Sequence, residues 1–211
     1  MKKYFIEFIG TFFLVFTAEM TLLNGTDKFS PLAIGSILMV MTYAYWPISG
    51  AHFNPAITVA NWLSGRVMKN ELAPYIAAQV VGAVLGSLVA GFLLSTMQAT
   101  LPEPRLLDVI PAFVAEFIGT AALVLIYLQI THDKSKIAHP YSGLAIGATF
   151  TTFIYAVNNL SGGIFNPALA IGACIVETAS WGHLWLYFMS QFGAALAGAF
   201  AYRFITEDSL F

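Results

Sequence analysis

The chain has 211 residues, 58% of them hydrophobic and only 9% charged, with a mean hydropathy of +0.77. A soluble domain carries about 25% charged residues, so this composition excludes a water-soluble globular protein and places most of the surface in lipid. The net charge of −2 gives no electrostatic case for nucleic acid or an acidic substrate, and the single cysteine, Cys174, excludes an intramolecular disulfide or a cysteine-cluster metal site.

The first segment, MKKYFIEFIGTFFLVFTAE, opens like a signal peptide, with lysines before an apolar run. Glu7 interrupts that run, which then continues without a small-x-small cleavage site, so a first membrane span is predicted instead. A helix needs about 20 apolar residues to cross a bilayer. Six tracts qualify, at roughly 4–23, 31–48, 72–95, 110–130, 141–159 and 183–204. Two further apolar pieces, 54–63 and 166–176, are too short to cross and too apolar for a water-exposed loop, and each begins at an Asn-Pro-Ala. Six spans place both termini on one side. That side then receives Lys2, Lys3, Arg66, Lys69, Lys134, Lys136 and Arg203, while the other receives only Lys28 and Arg105. This asymmetry predicts cytoplasmic termini, with the half-length pieces returning to the side they came from.

The two halves repeat. ISGAHFNPAITV (48–59) returns as LSGGIFNPALAI (160–171), EFIGTFFLV (7–15) as EFIGTAALV (116–124), and LAIG (32–35) again at 144–147. YIAAQVVGAVLG (75–86) corresponds to YFMSQFGAALAG (187–198), which aligns Gln79 with Gln191. The first half-repeat, 1–109, and the second, 110–211, therefore each hold three spans and one half-helix. Three is odd, so the second half is inverted relative to the first, an architecture that builds sites near the midplane from broken helices. Asn is a favoured helix N-cap and Pro is tolerated at the first helical position. Asn54-Pro55-Ala56 and Asn166-Pro167-Ala168 are thus helix starts. At mid-membrane depth such starts survive only when packed in protein or lining a water-filled path, and two of them facing each other predict a pore.

With both Asn-Pro-Ala motifs, the Ser-Gly before each, and Glu-x-x-x-Thr-x-x-Leu in the first and fourth spans (Glu7, Thr11, Leu14; Glu116, Thr120, Leu123), the chain resembles the aquaporin (major intrinsic protein) family over nearly its whole length. The resemblance implies an all-α integral membrane protein with six transmembrane helices and two re-entrant half-helices in an inverted 3+3 repeat. It implies a homotetramer with one pore per subunit, conducting water or small uncharged solutes such as glycerol, urea, ammonia, peroxide and neutral metalloid acids. It also implies that Glu7 and Glu116 face inward and accept hydrogen bonds from the re-entrant loops, a scaffold role that buried backbone donors require; proton transfer is the competing role for an intramembrane acid. The Asn54 and Asn166 amides are expected to point donors into the lumen. Each half-helix start carries roughly +0.5 charge. The pair approximates one positive charge, which repels a cation at about 4 Å by about 4 kcal/mol at an effective dielectric of 20.

One feature departs from that pattern. Most family members carry Arg directly after the second Asn-Pro-Ala, where this chain has Leu169. Spacing from the two Asn residues places the rest of the constriction at Ile34, Ile154 and Gly163, with Ile34 and Ile154 in place of the Phe and His typical of water-selective members. The ring Ile34, Ile154, Gly163, Leu169 has no polar side chain, and Gly163 is expected to leave room and an accessible carbonyl. Apolar walls cost a strongly hydrated solute more than a weakly hydrated one, which shifts the expectation from strict water selectivity toward small neutral solutes. Ala170, in place of the Asp of glycerol-conducting members, and the aromatic pair Tyr187-Phe188 point toward a water channel.

Other residues receive blander readings. Gly82 and Gly86, Gly143 and Gly147, and Ala194 and Gly198 are small residues for close helix approach. Cys174 is expected to be a buried small hydrophobe rather than a reactive thiol of the outer vestibule, His132 and His139 to belong to a solvated loop rather than a pH-sensitive gate, and His183 to sit at an interface with Trp181 and Trp185. His52 lines the cytoplasmic entrance or bonds its own loop. Glu19, without a counterpart in the second half, is expected near the outer membrane surface. No nucleophile–base pair, metal cluster or phosphate loop is present, so no enzyme, cofactor or metal is expected. An ion-coupled secondary transporter and a closed junctional membrane protein are the alternatives.

Overall fold

The structure is a computed structural model that describes residues 1–23, 27–97, 106–131 and 140–207. His132, His139, Lys134, Lys136 and Arg105 lie outside the described residues. Eight α-helices follow one another: α1 (Lys2–Leu23), α2 (Ser30–Ser49), α3 (Pro55–Leu63), α4 (Lys69–Thr96), α5 (Val109–Ile130), α6 (Ser142–Ser161), α7 (Pro167–Ile175) and α8 (Leu184–Glu207). Short 3-10 turns, Asp27–Phe29 and Trp181–His183, precede α2 and α8. Among the described residues there is no strand.

Helices α1, α2, α4 and α5, and the segment Trp181–Thr206 that contains α8, are long and apolar enough to cross a membrane. The sixth long helix, α6, has the length, with 20 residues, but not the same apolarity. Thr149, Thr151, Thr152, Asn158 and Asn159 lower it. Helix α6 also turns buried residues such as Ile146, Phe150 and Ile154 inward, so its polar content need not all face lipid.

The packing repeats in the two halves, which meet through α2 and α6. Helix α1 runs along α4 as α5 runs along α8, and α2 meets α6. The nine-residue helices cross over: α3 packs on α8 of the second half, and α7 on α4 of the first. Glycine makes the tightest crossing possible. A Cβ on Gly82 would strike the Phe8 carbonyl oxygen of α1, and one on Gly86 would lie 2.7 Å from that of Phe12. The outward surface is apolar, with Phe200, Phe204, Ile110 and Phe92 exposed, as lipid requires.

Helices α2 and α6 end alike, at Gly50 (φ 85°) and Gly162 (φ 91°), in the left-handed caps that glycine supplies without strain. The chain then turns back inward through short loops to Asn54 and Asn166. Beyond α3, Arg66 donates to the Thr131 hydroxyl (2.6 Å), the Leu128 carbonyl (3.0 Å) and the Tyr202 hydroxyl (2.6 Å). It thereby fastens the outgoing end of the half-helix to α5 and α8.

Candidate pore and constriction

The site is built at the two half-helix starts. Asn54, extended at φ −156°, caps α3 by accepting from the Ala56 N–H at 2.8 Å. Asn166, at φ −154°, caps α7 by accepting from Ala168 N–H at 2.9 Å and Leu169 N–H at 3.4 Å. The amide nitrogens reach across. Asn54 Nδ2 donates to the Phe165 carbonyl and Asn166 Nδ2 to the Phe53 carbonyl, each at 2.9 Å. Each amide has two N–H donors, so one is committed to the opposite loop and one remains for the lumen. The bond to the opposite loop is a contact that the sequence did not predict.

The loops behind the two Asn residues are held by buried acids. Glu7 accepts from Ser49 Oγ (2.7 Å), His52 N–H (3.0 Å), Phe53 N–H (2.7 Å) and Gln79 Nε2 (2.8 Å). Glu116 accepts from Ser161 Oγ (2.7 Å), Ile164 N–H (2.9 Å), Phe165 N–H (2.7 Å) and Gln191 Nε2 (2.8 Å). Both acids are fully buried. Such support is needed because Ala51, Phe53 and Phe165 occupy left-handed backbone conformations (φ 52°, 49° and 48°), where a side chain costs roughly 1–2 kcal/mol. Each Phe ring fills space left by a glycine: a Cβ on Gly10 would run into the Phe53 ring, and one on Gly119 into that of Phe165.

Sequence reasoning gave Tyr75 and Tyr187 no part in holding the loops. Tyr75 donates to the Ser49 carbonyl and Tyr187 to the Ser161 carbonyl, both at 2.8 Å. The alignment of YIAAQ with YFMSQ carried the signal, since a repeated polar tip on an apolar span implies a repeated partner. Tyr127 adds a bond to the Gly50 carbonyl at 2.7 Å. His52 is buried against Tyr75 and Tyr127, with Nδ1 3.1 Å from the Thr58 hydroxyl.

Two cavities meet this assembly. The inner one, about 10 Å³, is lined by His52, Asn54, Asn166 and apolar side chains including Phe150 and Ile57. That volume is at the lower limit for one water molecule. The outer one, about 290 Å³, has Ile34, Ile154, Gly163 and Leu169 among its lining residues. The three apolar side chains are each 3–5% exposed. Gly163 (φ 65°) does not open space in the lumen. A Cβ there would come within 2.9 Å of Ile154 Cα, so the glycine serves a left-handed turn packed against α6.

Glu19 lies near the outgoing end of α1, is 1% exposed and lines the outer cavity. Cys174 is buried. No group of three metal-ligating side chains occurs among the described residues.

The major intrinsic protein family model matches residues 1–202. A "Glycerol uptake facilitator protein-like 6" of Lactiplantibacillus plantarum is 35% identical over 99% of this chain and 100% of its own length. "Aquaporin NIP1-1" of Zea mays is 35% identical over 97% of this chain and 75% of its own. Among solved structures, the aquaglyceroporin from Plasmodium falciparum superposes with a TM-score of 0.78 at 19% identity, covering 95% of this chain and 94% of that one. The half-helix pair, its buried acids and a match spanning nearly the entire chain lead to one conclusion: this protein belongs to the major intrinsic protein family.

Proposed function

We propose that this integral membrane protein is a passive channel for small uncharged solutes and water, with its path running from the outer cavity past Leu169 and between Asn54 and Asn166. The observation that carries the reading is the reciprocal pair of Asn bonds joining two half-helix starts, and the cavity lined by Ile34, Ile154, Gly163 and Leu169 supports it. The half-helix ends supply positive potential where ions would lose their water, and a neutral solute passes that potential nearly untouched. Ile34, Ile154 and Leu169 offer no side-chain hydrogen bond, which disfavours the most strongly hydrated permeants.

Relatives named as a glycerol uptake facilitator and an aquaporin support solutes of the glycerol type alongside water. Each subunit of a homotetramer holds its own pore, and both termini are cytoplasmic; the lysine and arginine asymmetry supports the latter. Glu7 and Glu116 act as scaffold, because each already accepts four hydrogen bonds from the loops and neighbouring side chains.

Stopped-flow light scattering on proteoliposomes tests this. Water and glycerol permeability are expected to exceed those of empty vesicles and to ignore an imposed proton gradient. Flux that follows the gradient would establish a coupled transporter. Absence of any flux from intact oligomers would establish a closed structural protein.

A further inference from the structure

Glu19 is a carboxyl that the scaffold does not use. Glu7 and Glu116 each receive four donors, two of them backbone N–H groups. Glu19 is equally buried, yet its Oε2 has no hydrogen-bond partner. Thr178 is a side-chain hydrogen-bond partner of the carboxyl, with its hydroxyl also 3.1 Å from the Ala173 carbonyl, and Oε2 is left over. An unsatisfied buried polar group destabilises a fold, so such a residue is expected to have a use beyond folding.

The repeat supplies an internal control. Aligning EFIGTFFLVFTAE with EFIGTAALVLIYL sets Glu19 opposite Leu128, which is fully buried. The equivalent place in the other half is thus filled by a leucine, and the architecture itself asks for no acid there. What differs is the surroundings. Glu19 lies on the outer cavity that also holds Ile34, Ile154, Gly163 and Leu169. The other polar groups of that wall include Ser161, which donates to Glu116, and Tyr187, which donates to the Ser161 carbonyl. A solute moving from water to the apolar ring loses partners for its own donors, and Glu19 Oε2 is an acceptor without a donor at that place. Shelter from bulk water makes a hydrogen bond there stronger than one at the surface.

We propose that Glu19 is a solute-binding and specificity-determining residue of the outer vestibule, whose carboxyl accepts hydrogen bonds from small neutral solutes bearing adjacent O–H or N–H donors as they enter the constriction. Polyols and urea-like amides share this chemistry. The inference rests on the channel reading and adds the class of solute preferred. It also offers a physical substitute for the absent arginine: the constriction keeps one polar anchor, moved from α7 to α1 and changed from donor to acceptor.

The test measures glycerol, urea and water permeability of the same proteoliposomes for wild type, Glu19→Leu and Glu19→Gln, with a thermal melt of each protein. Glu19→Leu is expected to lower glycerol and urea permeability roughly five- to tenfold, the scale of one hydrogen bond. Water permeability is expected to stay within about twofold, and the melting temperature to hold or rise, because an unpaired buried carboxyl has been removed. Glu19→Gln, which retains an acceptor of the same reach, is expected to keep most of the solute flux. Equal losses of water and solute flux, or a lower melting temperature for Glu19→Leu with the flux ratio unchanged, would overturn the proposal in favour of a structural role. If Glu19→Leu fails to fold, Glu19→Ala is measured in its place, and a solute-to-water ratio unchanged in Glu19→Ala, or collapsed in Glu19→Gln at wild-type stability, overturns the proposal. Wild-type vesicles that pass water but neither probe refute the Glu19 role and leave the channel reading intact, whereas vesicles that pass nothing refute the channel itself.

Discussion

Replacing Glu7 by alanine tests whether the buried acids are scaffold. The substitution removes an acceptor from four donors. Ser49 and Gln79 can turn: the Ser49 hydroxyl already accepts from Ala51 N–H at 3.0 Å, and Gln79 Nε2 also reaches Thr58 Oγ1 at 2.9 Å. The N–H groups of His52 and Phe53 cannot turn, because the backbone there is fixed and buried. Each stranded donor costs about 1–3 kcal/mol, so the pair costs about 2–6 kcal/mol before any cavity is counted. At about 2–4 °C per kcal/mol for a chain of this size, the melting temperature in detergent is expected to fall on the order of 10 °C. Glu7→Gln should lose much less. Its carbonyl can keep Ser49 and His52, and Gln79, whose Oε1 is unpartnered, can rotate to meet the new amide. Phe53 N–H is then the stranded backbone donor, at about 1–3 kcal/mol. Fluorescence-monitored unfolding of the purified proteins measures both, and Glu116→Ala should match Glu7→Ala because its donor set is the same. A Glu7→Ala protein that melts within 2 °C of wild type, where the reasoning expects about 10 °C, would refute the scaffold argument. Loss of flux in Glu7→Gln at unchanged stability would return the acid to proton transfer.

Leu169→Arg places a guanidinium in the apolar ring, and the glycerol-to-water permeability ratio is expected to drop at least about tenfold, the equivalent of ~1.4 kcal/mol, in the stopped-flow assay. Asn166→Asp keeps the cap on Ala168 but cannot donate to the Phe53 carbonyl, and its charge opposes the half-helix potential. With a barrier of about 4 kcal/mol at stake, cation conductance in planar bilayers is expected to rise by at least tenfold, up to roughly a thousandfold. Gly82→Leu drives a side chain into the Phe8 carbonyl, and overpacking of about 1–3 kcal/mol or more should appear as a poor yield of monodisperse protein in size-exclusion chromatography.

Much of the architecture is legible in the sequence because lipid simplifies the grammar: a span must be long and apolar, and a piece half that length must be explained. Asn54 and Asn166 announce their helix starts through local chemistry, a capping side chain followed by proline. Glu7 and Glu116 stand out because a carboxyl in an apolar span needs partners. What is not legible depends on contacts between distant parts of the chain. The bond from Asn54 to the Phe165 carbonyl joins residues 111 apart, and no local pattern encodes it. Gly163 resembles a gap in the wall until Ile154 is seen pressed against it. Glu19 is legible as a residue near the end of α1, but its burial is not, because that comes from neighbours such as Gly172 in the other half of the chain. Helix α6 misleads in the opposite sense, since its threonines and asparagines dilute a helix that nonetheless packs with α2 and α5.

The crossed placement of the half-helices sets an order of assembly. Helix α3 rests on α8, which is synthesised last, and the Asn54 amide finds its acceptor on a loop that does not exist until α6 has been made. The first half can insert its three spans and still hold only an unfinished gate post. The conduit therefore opens late in biogenesis, when the second half closes over the first like one hand of a clasp, and a membrane carrying nascent chains is not made leaky while they wait.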